Sequence, residues 1–280
     1  MSLDTLPGVR DMADAHGLLA RKSLGQHFLY DLNVTRKITR LAGPLDGARV
    51  MEVGPGPGGL TRALLESGAE KVFAVETDER FLPLLEDINR ASGGRLDVIH
   101  ADALTVNPRD YLGDGPSAIV ANLPYNVGTP LLTGWLTADP PPAPSMSLMF
   151  QKEVADRIAA SPGGKDFGRL AVLAQSRCQV RLEMTIPARA FTPPPKIDSA
   201  VVRLDFLPES ERFSDISALE TVTKAAFTQR RKMLRKSLST LGDAHKLLEI
   251  AEISPETRPE TVSVQAFQRL AKVWRESISG

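Results

Sequence analysis

Residues 49–59 read RVMEVGPGPGG, and this stretch decides the fold class. A short apolar run at 49–53 ends in a glycine-rich loop, which is typical of a buried strand that turns into a helix. Glycine lets the backbone turn tightly and approach a ligand closely. Gly54, Gly56 and Gly59 match the spacing G-x-G-x-x-G, but the match alone is weak because a simple tight turn also explains it. The stretch therefore predicts the first strand, loop and helix of a nucleotide-type site.

Strand and helix patterns alternate along the chain after this loop. The pattern predicts strands at 49–53, 71–76, 96–100, 117–122 and 147–150, and helices at 60–67, 81–89, 131–137, 153–160 and 170–178. Two further runs, at 180–185 and 200–206, alternate well enough to form a closing antiparallel pair. Strands that alternate with helices predict an α/β fold with a mainly parallel, doubly wound sheet of the Rossmann-like kind.

The character of the sequence changes after residue 206. Residues 207–210 read LPES and form a plausible linker. Beyond them the periodicity is helical only, with runs at 216–228, 230–241, 244–251 and 264–278. We therefore expect an α/β domain over residues 1–206, of which residues 1–20 are loosely ordered, and a small all-helical domain over residues 207–280.

Composition excludes several classes of protein. The 280 residues include 34 basic and 34 acidic ones, so the net charge gives no indication of a nucleic-acid partner. The single cysteine, Cys178, excludes an internal disulfide framework and fits a reducing compartment. No apolar run is long enough to span a bilayer, and the N-terminus lacks the apolar stretch of a signal peptide. We expect a cytoplasmic monomer without a structural metal, since the four histidines are scattered.

Acidic residues follow three successive strands of the predicted sheet. Glu52 precedes the first glycine of the loop, Glu76 ends the second strand and Asp102 follows the third. Open α/β sheets bind ligands where the carboxyl ends of their strands meet. We expect Glu52 to orient the loop or the cationic end of a ligand, Glu76 to accept from ribose hydroxyls, and Asp102 to accept from an adenine amino group. A helix N-cap explains Asp102 equally well by itself.

The most informative segment is Asn122-Leu123-Pro124-Tyr125, at the end of the fourth predicted strand. The lone pair of a purine amino group is delocalised into the ring, so its nitrogen is a poor nucleophile. Two acceptors aimed at the two N–H bonds would favour a tetrahedral nitrogen with a localised lone pair. The Asn122 side chain and a backbone carbonyl of Leu123 or Pro124 can supply them, while Tyr125 stacks on the base. The alternative is a structural turn with a core tyrosine.

A second aromatic residue, Phe191, begins the run FTPPPK at residues 191–196. A polyproline run stiffens the loop and can hold the ring out of the core. We expect Phe191 to lie opposite Tyr125, so that the two rings sandwich a base turned out of its strand. An ordinary hydrophobic anchor between two strands explains Phe191 equally well.

With these residues in these positions, the chain resembles the bacterial family of ribosomal RNA adenine N6,N6-dimethyltransferases that act on small-subunit RNA. The matching segments are 21–29 (RKSLGQHFL), 52–59 (EVGPGPGG), 75–76, 102–103, 122–126 (NLPYN), 151–154 (QKEV), 191–204 (FTPPPKIDSAVVRL) and 227–232 (FTQRRK). They cover nearly the whole chain and are highly specific as a set. The resemblance implies a Rossmann-like methyltransferase sheet that uses S-adenosylmethionine, followed by a small C-terminal helical domain.

The resemblance also implies site residues and a substrate. The residues expected to hold the cofactor are His27, Leu29, Gly54, Glu76, Asp102 and Asn122, beside Glu52 and Gly56 of the loop. Many relatives have Asn in place of His27, and both side chains form hydrogen bonds. The implied substrate is a pair of adjacent adenosines in the 3′-terminal hairpin loop of small-subunit (16S) RNA. Each would be dimethylated on N6, and the enzyme would be linked to maturation of the small subunit or its precursor particle.

Basic residues dominate between positions 224 and 246, against the single acid Asp243. The candidates for RNA binding are Arg230, Arg231, Lys232, Arg235 and Lys236. In the predicted helix 230–241, spacings of four residues would form two rows of positive charge that suit phosphates. A solvated helix face is the usual explanation of such a run. The residues that would extend this surface are Arg21, Lys22, Arg36, Lys37 and Arg40.

Other functions would account for some of these sequence features. One is a related enzyme, either a large-subunit RNA adenine methyltransferase of the antibiotic-resistance type or a DNA adenine methyltransferase. The run at 191–195 and the helical tail favour the small-subunit type. Another is a ribosome-assembly or transcription factor that keeps the fold without activity, against which the intact site residues argue. An NAD-dependent dehydrogenase is allowed by the glycine spacing but leaves residues 122–125 unexplained.

Overall fold

The parallel strands predicted at 49–53, 71–76, 96–100 and 117–122 have those bounds in the computed structural model, which describes residues 2–20 and 26–279. The strand predicted at 147–150 is longer and runs over 145–151. The strands are β1 Phe28–Leu29, β2 Arg49–Val53, β3 Lys71–Glu76, β4 Leu96–His100, β5 Ser117–Asn122, β6 Ser145–Gln151, β7 Cys178–Ile186, β8 Phe191–Thr192 and β9 Ser199–Phe206. The helices are α1 Val9–Ala15, α2 Leu32–Leu41, α3 Gly59–Glu66, α4 Leu82–Ala91, α5 Arg109–Leu112, α6 Gly128–Thr137, α7 Lys152–Ile158, α8 Arg169–Arg177, α9 Ile216–Thr228, α10 Leu234–Ser237, α11 Ala244–Ile250 and α12 Val264–Ser279.

The main sheet has the strand order β4-β3-β2-β5-β6-β9-β7. Strands β2 to β6 pair in parallel, and β9 joins β6 in antiparallel register. The chain runs outward from β2 through β3 to β4 and then returns to β5 on the other side of β2. The order therefore reverses beside β2, and the carboxyl ends of β2 and β5 flank the crevice where doubly wound sheets bind ligands.

The central strands are nearly continuous apolar runs because helices cover both faces of a parallel sheet. Val50 lies beside Val72 on one side and Ala118 on the other, and all three side chains are buried. They belong to one hydrophobic core with Leu64 of α3 and Leu84 of α4. This packing holds the strand ends, and so the site, in fixed positions.

Packing divides the chain into two units, Met1–Ala155 with Arg181–Asp205, and Asp156–Val180 with Phe206–Gly280. The domain boundary was expected at residue 206, and the later of the two segments that form the second unit begins there. Residues 156–180, which were expected in the first domain, group with the second unit instead. Helical periodicity alone does not reveal to which core a helix such as α8 contributes.

The N-terminal residues differ from the expectation of loose order. Residues 2–20 contain a 3-10 helix, Leu3–Thr5, followed by α1. Helix α1 buries Val9, Met12 and Ala13, which lie on one helical face. The guanidinium of Arg62 in α3 donates to the Pro7 carbonyl at 2.6 Å. The expectation was wrong because the segment obtains its order from packing on the first unit.

The second unit is helical, with α9 packed against α12 and α8. The ring of Phe227 lies 6.3 Å from that of Phe167 and 5.5 Å from that of Phe267, measured between centroids. Asp215 caps α9 by accepting from the Ala218 amide at 3.0 Å, and Arg275 of α12 donates to the same carboxylate at 2.7 Å. The Arg275 hydrogen bond is the main reason that the pKa of Asp215 lies below its ordinary value.

The predicted continuous helix over 230–241 is absent. Only α10 and the 3-10 helix Ser239–Leu241 are helical there, while residues 229–232 form a turn and a bend. The Leu234 amide donates to the Thr257 carbonyl at 2.9 Å, and the Arg235 amide donates to the Pro255 carbonyl at 3.2 Å. In a continuous helix these amides would donate to residues 230 and 231. A distant loop therefore replaces the intrahelical bonds.

In the part of the chain that is described, no helix combines the length and the apolar character needed to cross a membrane.

Candidate active site

A cavity opens at the carboxyl ends of β2, β3 and β5. The predicted site residues that line it are His27, Leu29, Glu52, Gly54, Gly56, Glu76, Asp102, Asn122, Leu123, Pro124 and Tyr125. These residues come from β1 and the residue before it, and from four strand ends of the main sheet or the loops that follow them. The structure thus brings together every predicted cofactor residue and every predicted catalytic residue except Phe191.

The glycine loop between β2 and α3 needs glycine for two separate reasons. Gly56 has φ of +52°, in the left-handed region that other residues rarely adopt. At Gly59 the conformation is ordinary, but an added Cβ would lie 2.6 Å from the backbone oxygen of Leu29. Gly59 therefore allows β1 to pass directly over the start of α3. The loop is a close-packed cradle under the segment that contains His27.

Glu52 is a buried carboxyl, only 1 % exposed, in the wall of the cavity. Its Oε2 accepts from the Thr61 hydroxyl of α3 at 2.6 Å. Burial raises the pKa of Glu52 to about 8, against the lowering effect of the Thr61 bond, and the nearby carboxyl of Glu76 raises it further. A positive ligand group in the cavity would stabilise the ionised form, so this carboxyl suits a cationic ligand.

Glu76 ends β3 and organises the backbone around it. Its Oε2 accepts from the Gly56 amide at 3.1 Å, and its Oε1 accepts from the Thr77 and Asp78 amides at 2.9 Å each. Burial raises the pKa of Glu76, while the three backbone donors act in the opposite direction. A carboxylate oxygen can accept two hydrogen bonds. Oε2 accepts only one here, so Glu76 can still accept a hydrogen bond from a ligand hydroxyl.

Asp102 caps a 3-10 helix at the rim of the cavity. Its Oδ1 accepts from the Leu104 amide at 2.9 Å and so caps the 3-10 helix Ala103–Thr105. The residue is exposed and also lines the cavity. The cap holds the side chain at the rim, and its second carboxylate oxygen forms no hydrogen bond with the described residues.

Asn122 is the last residue of β5, and its side chain forms no hydrogen bond with the described residues. The two backbone carbonyls that follow it differ in their partners. The Pro124 carbonyl accepts from the Val127 amide at 3.2 Å and the Gly128 amide at 3.0 Å, at the start of α6. The Leu123 carbonyl has no partner in the described part of the chain. Of the two carbonyls left open by the sequence, that of Leu123 is the available acceptor.

Tyr125 is half-buried, and its ring is supported at two points. Its hydroxyl lies 3.0 Å from the hydroxyl of Ser199, and its ring centroid lies 5.6 Å from that of His27, with the planes tilted by 31°. His27 is itself fixed by a contact of 2.7 Å between Nδ1 and the Pro193 carbonyl. A carbonyl only accepts, so Nδ1 carries the proton in this contact. Burial raises the pKa of Tyr125.

Phe191 does not lie opposite Tyr125. It is 2 % exposed, belongs to the hydrophobic core, and pairs with Leu29 where β8 meets β1. The predicted sandwich of two aromatic rings is therefore not formed, and the hydrophobic anchor is the correct interpretation. His27, the residue directly before β1, is the ring next to Tyr125 instead. The pairing of β1 with β8 decides this, and no local pattern in the sequence reveals it.

Comparison with known proteins decides the family of this site. The sequence model of the family described as ribosomal RNA adenine dimethylase matches residues 17–276. The chain belongs to this family. It is 55 % identical to a Ribosomal RNA small subunit methyltransferase A from Maricaulis maris, over 98 % of this chain and 97 % of the relative. The predicted resemblance is confirmed.

Solved structures agree with the fold of this dimethylase-family chain. A dimethyladenosine transferase from Plasmodium falciparum has a TM-score of 0.75 at 25 % identity, over 87 % of this chain and 96 % of that one. The 23S rRNA methyltransferase ErmE has a TM-score of 0.68 at 25 % identity, over 89 % of this chain and 99 % of that one. The protein is thus an enzyme with a Rossmann-like methyltransferase fold, as predicted. The fold alone does not separate small-subunit from large-subunit RNA.

The basic residues of this dimethylase-family chain that are candidates for RNA binding differ in whether their charges already have partners within the protein. Arg230 donates to the carbonyls of Lys165 at 2.5 Å and Gly164 at 3.4 Å, so its charge supports a loop. Arg235 lies 3.6 Å from the Glu256 carboxylate. The exposed members of the cluster, without an ion pair among the described residues, are Arg231, Lys232 and Lys236. The predicted helical rows are absent, because residues 230–232 are not helical.

Other basic candidates lie in the first unit. Arg36 forms an ion pair with Glu66 at 2.7 Å, and this contact raises the pKa of Arg36. Lys37 and Arg40 are exposed on the same helix, α2. Arg21 and Lys22, with the rest of the segment 21–25, lie outside the described residues.

Two side chains that support the site were missed by sequence reasoning. Thr61 holds Glu52, and Ser199 holds Tyr125. Each pair is joined by the fold and not by a local motif, since Tyr125 and Ser199 are 74 positions apart. A buried hydroxyl in an otherwise apolar strand, such as Ser199 in the run SAVV, is the one signal that marks such a residue.

Proposed function

We propose that this enzyme transfers methyl groups from S-adenosylmethionine to N6 of two adjacent adenosines in the 3′-terminal hairpin loop of small-subunit (16S) ribosomal RNA. Each adenosine is dimethylated, and the modification accompanies maturation of the small subunit. The observation that carries the proposal is the pair of free acceptors, the Asn122 side chain and the Leu123 carbonyl, on two residues that line the cavity. The names of the relatives at 52 % to 58 % identity support the substrate.

The residues around the glycine loop fit S-adenosylmethionine. Glu76 offers a carboxylate to ribose hydroxyls, and Asp102 offers one at the rim to an adenine amino group. Glu52 is a buried acid that a positive group would ionise. Gly54 and Gly56 line the cavity and present bare backbone to a ligand. When bound, the cofactor supplies an electrophilic methyl group and adds a positive charge to an acidic cavity.

The acceptors Asn122 and Leu123 prepare the nucleophile. With both N–H bonds of the adenine amino group directed at them, the nitrogen becomes tetrahedral and its lone pair points away from the ring plane. This arrangement needs no strong base, because the acceptors act by position and charge. After the first methyl transfer only one N–H remains, so one of the two acceptors loses its donor in the second round. The second transfer therefore depends more on stacking than the first.

Tyr125 provides the stacking surface. Its ring lines the cavity beside the two acceptors, and a base that stacks on an aromatic ring gains about 1–3 kcal/mol. Its hydroxyl is engaged by Ser199, so the ring face and not the hydroxyl is offered to the base. Exposed Arg231, Lys232 and Lys236 of the second unit are the candidates for phosphate contacts. We place this activity in the cytoplasm, carried out by a monomer.

The test is methyl transfer to unmethylated ribosomal subunits, followed by mapping of the modified bases. Small subunits from a strain that lacks the modification receive purified protein and labelled cofactor, and large subunits serve as the control substrate. We expect two dimethylated adenosines in the 3′-terminal hairpin of the small-subunit RNA. Methylation confined to large-subunit RNA would assign the protein to the antibiotic-resistance type. Methylation of neither, with intact cofactor binding, would identify an assembly factor.

A further inference from the structure

The contact between Tyr125 and Ser199 joins distant parts of the main sheet. Tyr125 follows β5, and Ser199 is the first residue of β9. Asn122 at the end of β5 pairs with Met149 of β6, and Gln151 of β6 pairs with Ser199. The two hydroxyls, 3.0 Å apart, therefore bridge from one strand end across β6 to another. Since β6 is fixed between them, the bridge ties the Tyr125 ring to the rigid part of the fold.

Ser199 itself is held firmly enough to act as a support. Its exposed fraction is 0 %, and its backbone lies in the antiparallel ladder between β6 and β9. A buried hydroxyl is costly unless it has a partner. Ser147 of β6 shows the contrast, because it is also buried, at 2 %, yet its hydroxyl has no partner in the described part of the chain. The same residue type thus occurs in this sheet with and without a link to the site.

The other side of the Tyr125 ring is supported by His27. The ring centroids lie 5.6 Å apart. A base between two parallel rings needs about 3.5 Å on each of its faces, so the gap between His27 and Tyr125 is too small to admit one. His27 is braced by the Pro193 carbonyl at 2.7 Å. The base must therefore use the part of the Tyr125 ring that faces the cavity. Two supports, at the ring and at the hydroxyl, leave the side chain with a single orientation.

We propose that Ser199 is a positioning residue for methyl transfer, whose hydroxyl holds the ring of Tyr125 in the orientation that receives the target adenine. The inference deepens the proposed function and rests on it, because the ring needs a base to receive. Ser199 does not line the cavity, so it acts through Tyr125 and touches neither base nor cofactor. Its loss affects the placement of the adenine amino group over Asn122 and Leu123, and leaves the binding of cofactor unchanged.

The experiment compares Ser199→Ala with the matched control Ser147→Ala. Both changes remove a buried hydroxyl from the same sheet, but only the first removes a hydrogen bond. We expect the single-turnover rate at saturating small subunits and cofactor to fall about three- to tenfold in Ser199→Ala, the effect of one neutral hydrogen bond. The cofactor Kd should stay at the wild-type value. Ser147→Ala should keep the wild-type rate.

A second pair of variants separates positioning from a general loss of stability. Tyr125→Phe removes the same hydrogen bond from the other side and keeps the ring, so it also tests the link if Ser199→Ala folds poorly. We expect the double variant to be no slower than the slower single variant, since both changes break one interaction. A lowered melting temperature alone would not produce this pattern, because it would leave the rate of the folded fraction unchanged.

The results distinguish this inference from the proposed function. If the wild-type protein does not methylate small subunits, the proposed function fails and the inference fails with it. If the wild type is active and Ser199→Ala is equally fast, only the inference is overturned. It is also overturned if the double variant loses the product of the two single effects, since the two hydroxyls would then act independently.

Discussion

Two groups of candidate residues differ in what fixes their positions. One group is the acidic and amide residues at the strand ends, and the other is the basic residues at 230–236. Glu52, Glu76 and Asn122 converge on one cavity, as their places after parallel strands predicted. Arg231 and Lys232 were expected in helical rows and instead lie in a turn and a bend. A strand end is placed by the sheet as a whole, whereas a row on a helix requires every intervening residue to be helical. Convergence at a sheet edge is therefore the more reliable prediction.

Asn122→Ala should give the largest effect. Loss of one preorganised acceptor commonly costs about 10²–10³ in rate, so methyl transfer should slow by that factor while binding of small subunits changes little. Asn107→Ala is the control, because Asn107 is an exposed asparagine at the start of α5 that does not line the cavity. The single-turnover rates of both variants test the role of Asn122. Near-normal transfer by Asn122→Ala would remove Asn122 from the reaction.

Glu76→Ala should weaken the binding of S-adenosylmethionine. Charge-assisted hydrogen bonds are worth about 1.5–3 kcal/mol, which corresponds to roughly 10- to 150-fold in Kd. Glu79→Ala removes a nearby exposed carboxylate that does not line the cavity, and it should bind as the wild type does. Calorimetry gives both affinities, and NAD serves as a second ligand that should not bind. An unchanged affinity in Glu76→Ala would contradict the ribose assignment.

Glu52 should make cofactor binding depend on pH. Its raised pKa, about 8, means that the carboxyl of the free protein is protonated below that pH, while the positive cofactor favours the ionised form. Affinity should therefore rise with pH and fall as pH decreases from 9 to 7, by up to about tenfold per unit for one coupled proton.

The control for this pH effect is Glu52→Gln, which cannot ionise. The α-amino group of the cofactor titrates in the same range, so the difference between the two proteins is the quantity to measure. Titration calorimetry in buffers of different ionisation enthalpy counts the proton released. Equal slopes for the wild type and Glu52→Gln would show that Glu52 is not the coupled group.

The basic residues should have the smallest effect on the reaction. Arg231→Gln with Lys232→Gln should weaken binding to small subunits and reduce the slope of log affinity against log salt by about 0.7–0.9 for each phosphate that is no longer neutralised. Lys272→Gln removes one charge from α12 and should leave the slope unchanged. The dependence of affinity on salt, measured with all variants, is the readout. A wild-type slope in the double variant would leave these cations as a solvated surface.

The alternating α/β fold and the chemistry of the strand ends follow from the amino-acid sequence alone. The bounds of β2, β3 and β5 follow from apolar runs that stop at glycine, acid or asparagine residues. Because helices cover both faces of a parallel sheet, these runs are long and unmistakable. Once the strands are parallel, Glu52, Glu76, Asp102 and Asn122 must meet at one edge, and no further information is needed to gather them.

The positions of Phe191, Ser199 and the residues at 230–236 depend on tertiary contacts. Phe191 is in the core because β8 pairs with β1, and His27 takes the place beside Tyr125 for the same reason. Ser199 reaches Tyr125 across β6, and the Leu234 amide binds the Thr257 carbonyl in place of a helical partner. All three arrangements depend on contacts between residues far apart in sequence. Local periodicity carries no information about such contacts, since it records only which face of one element is apolar.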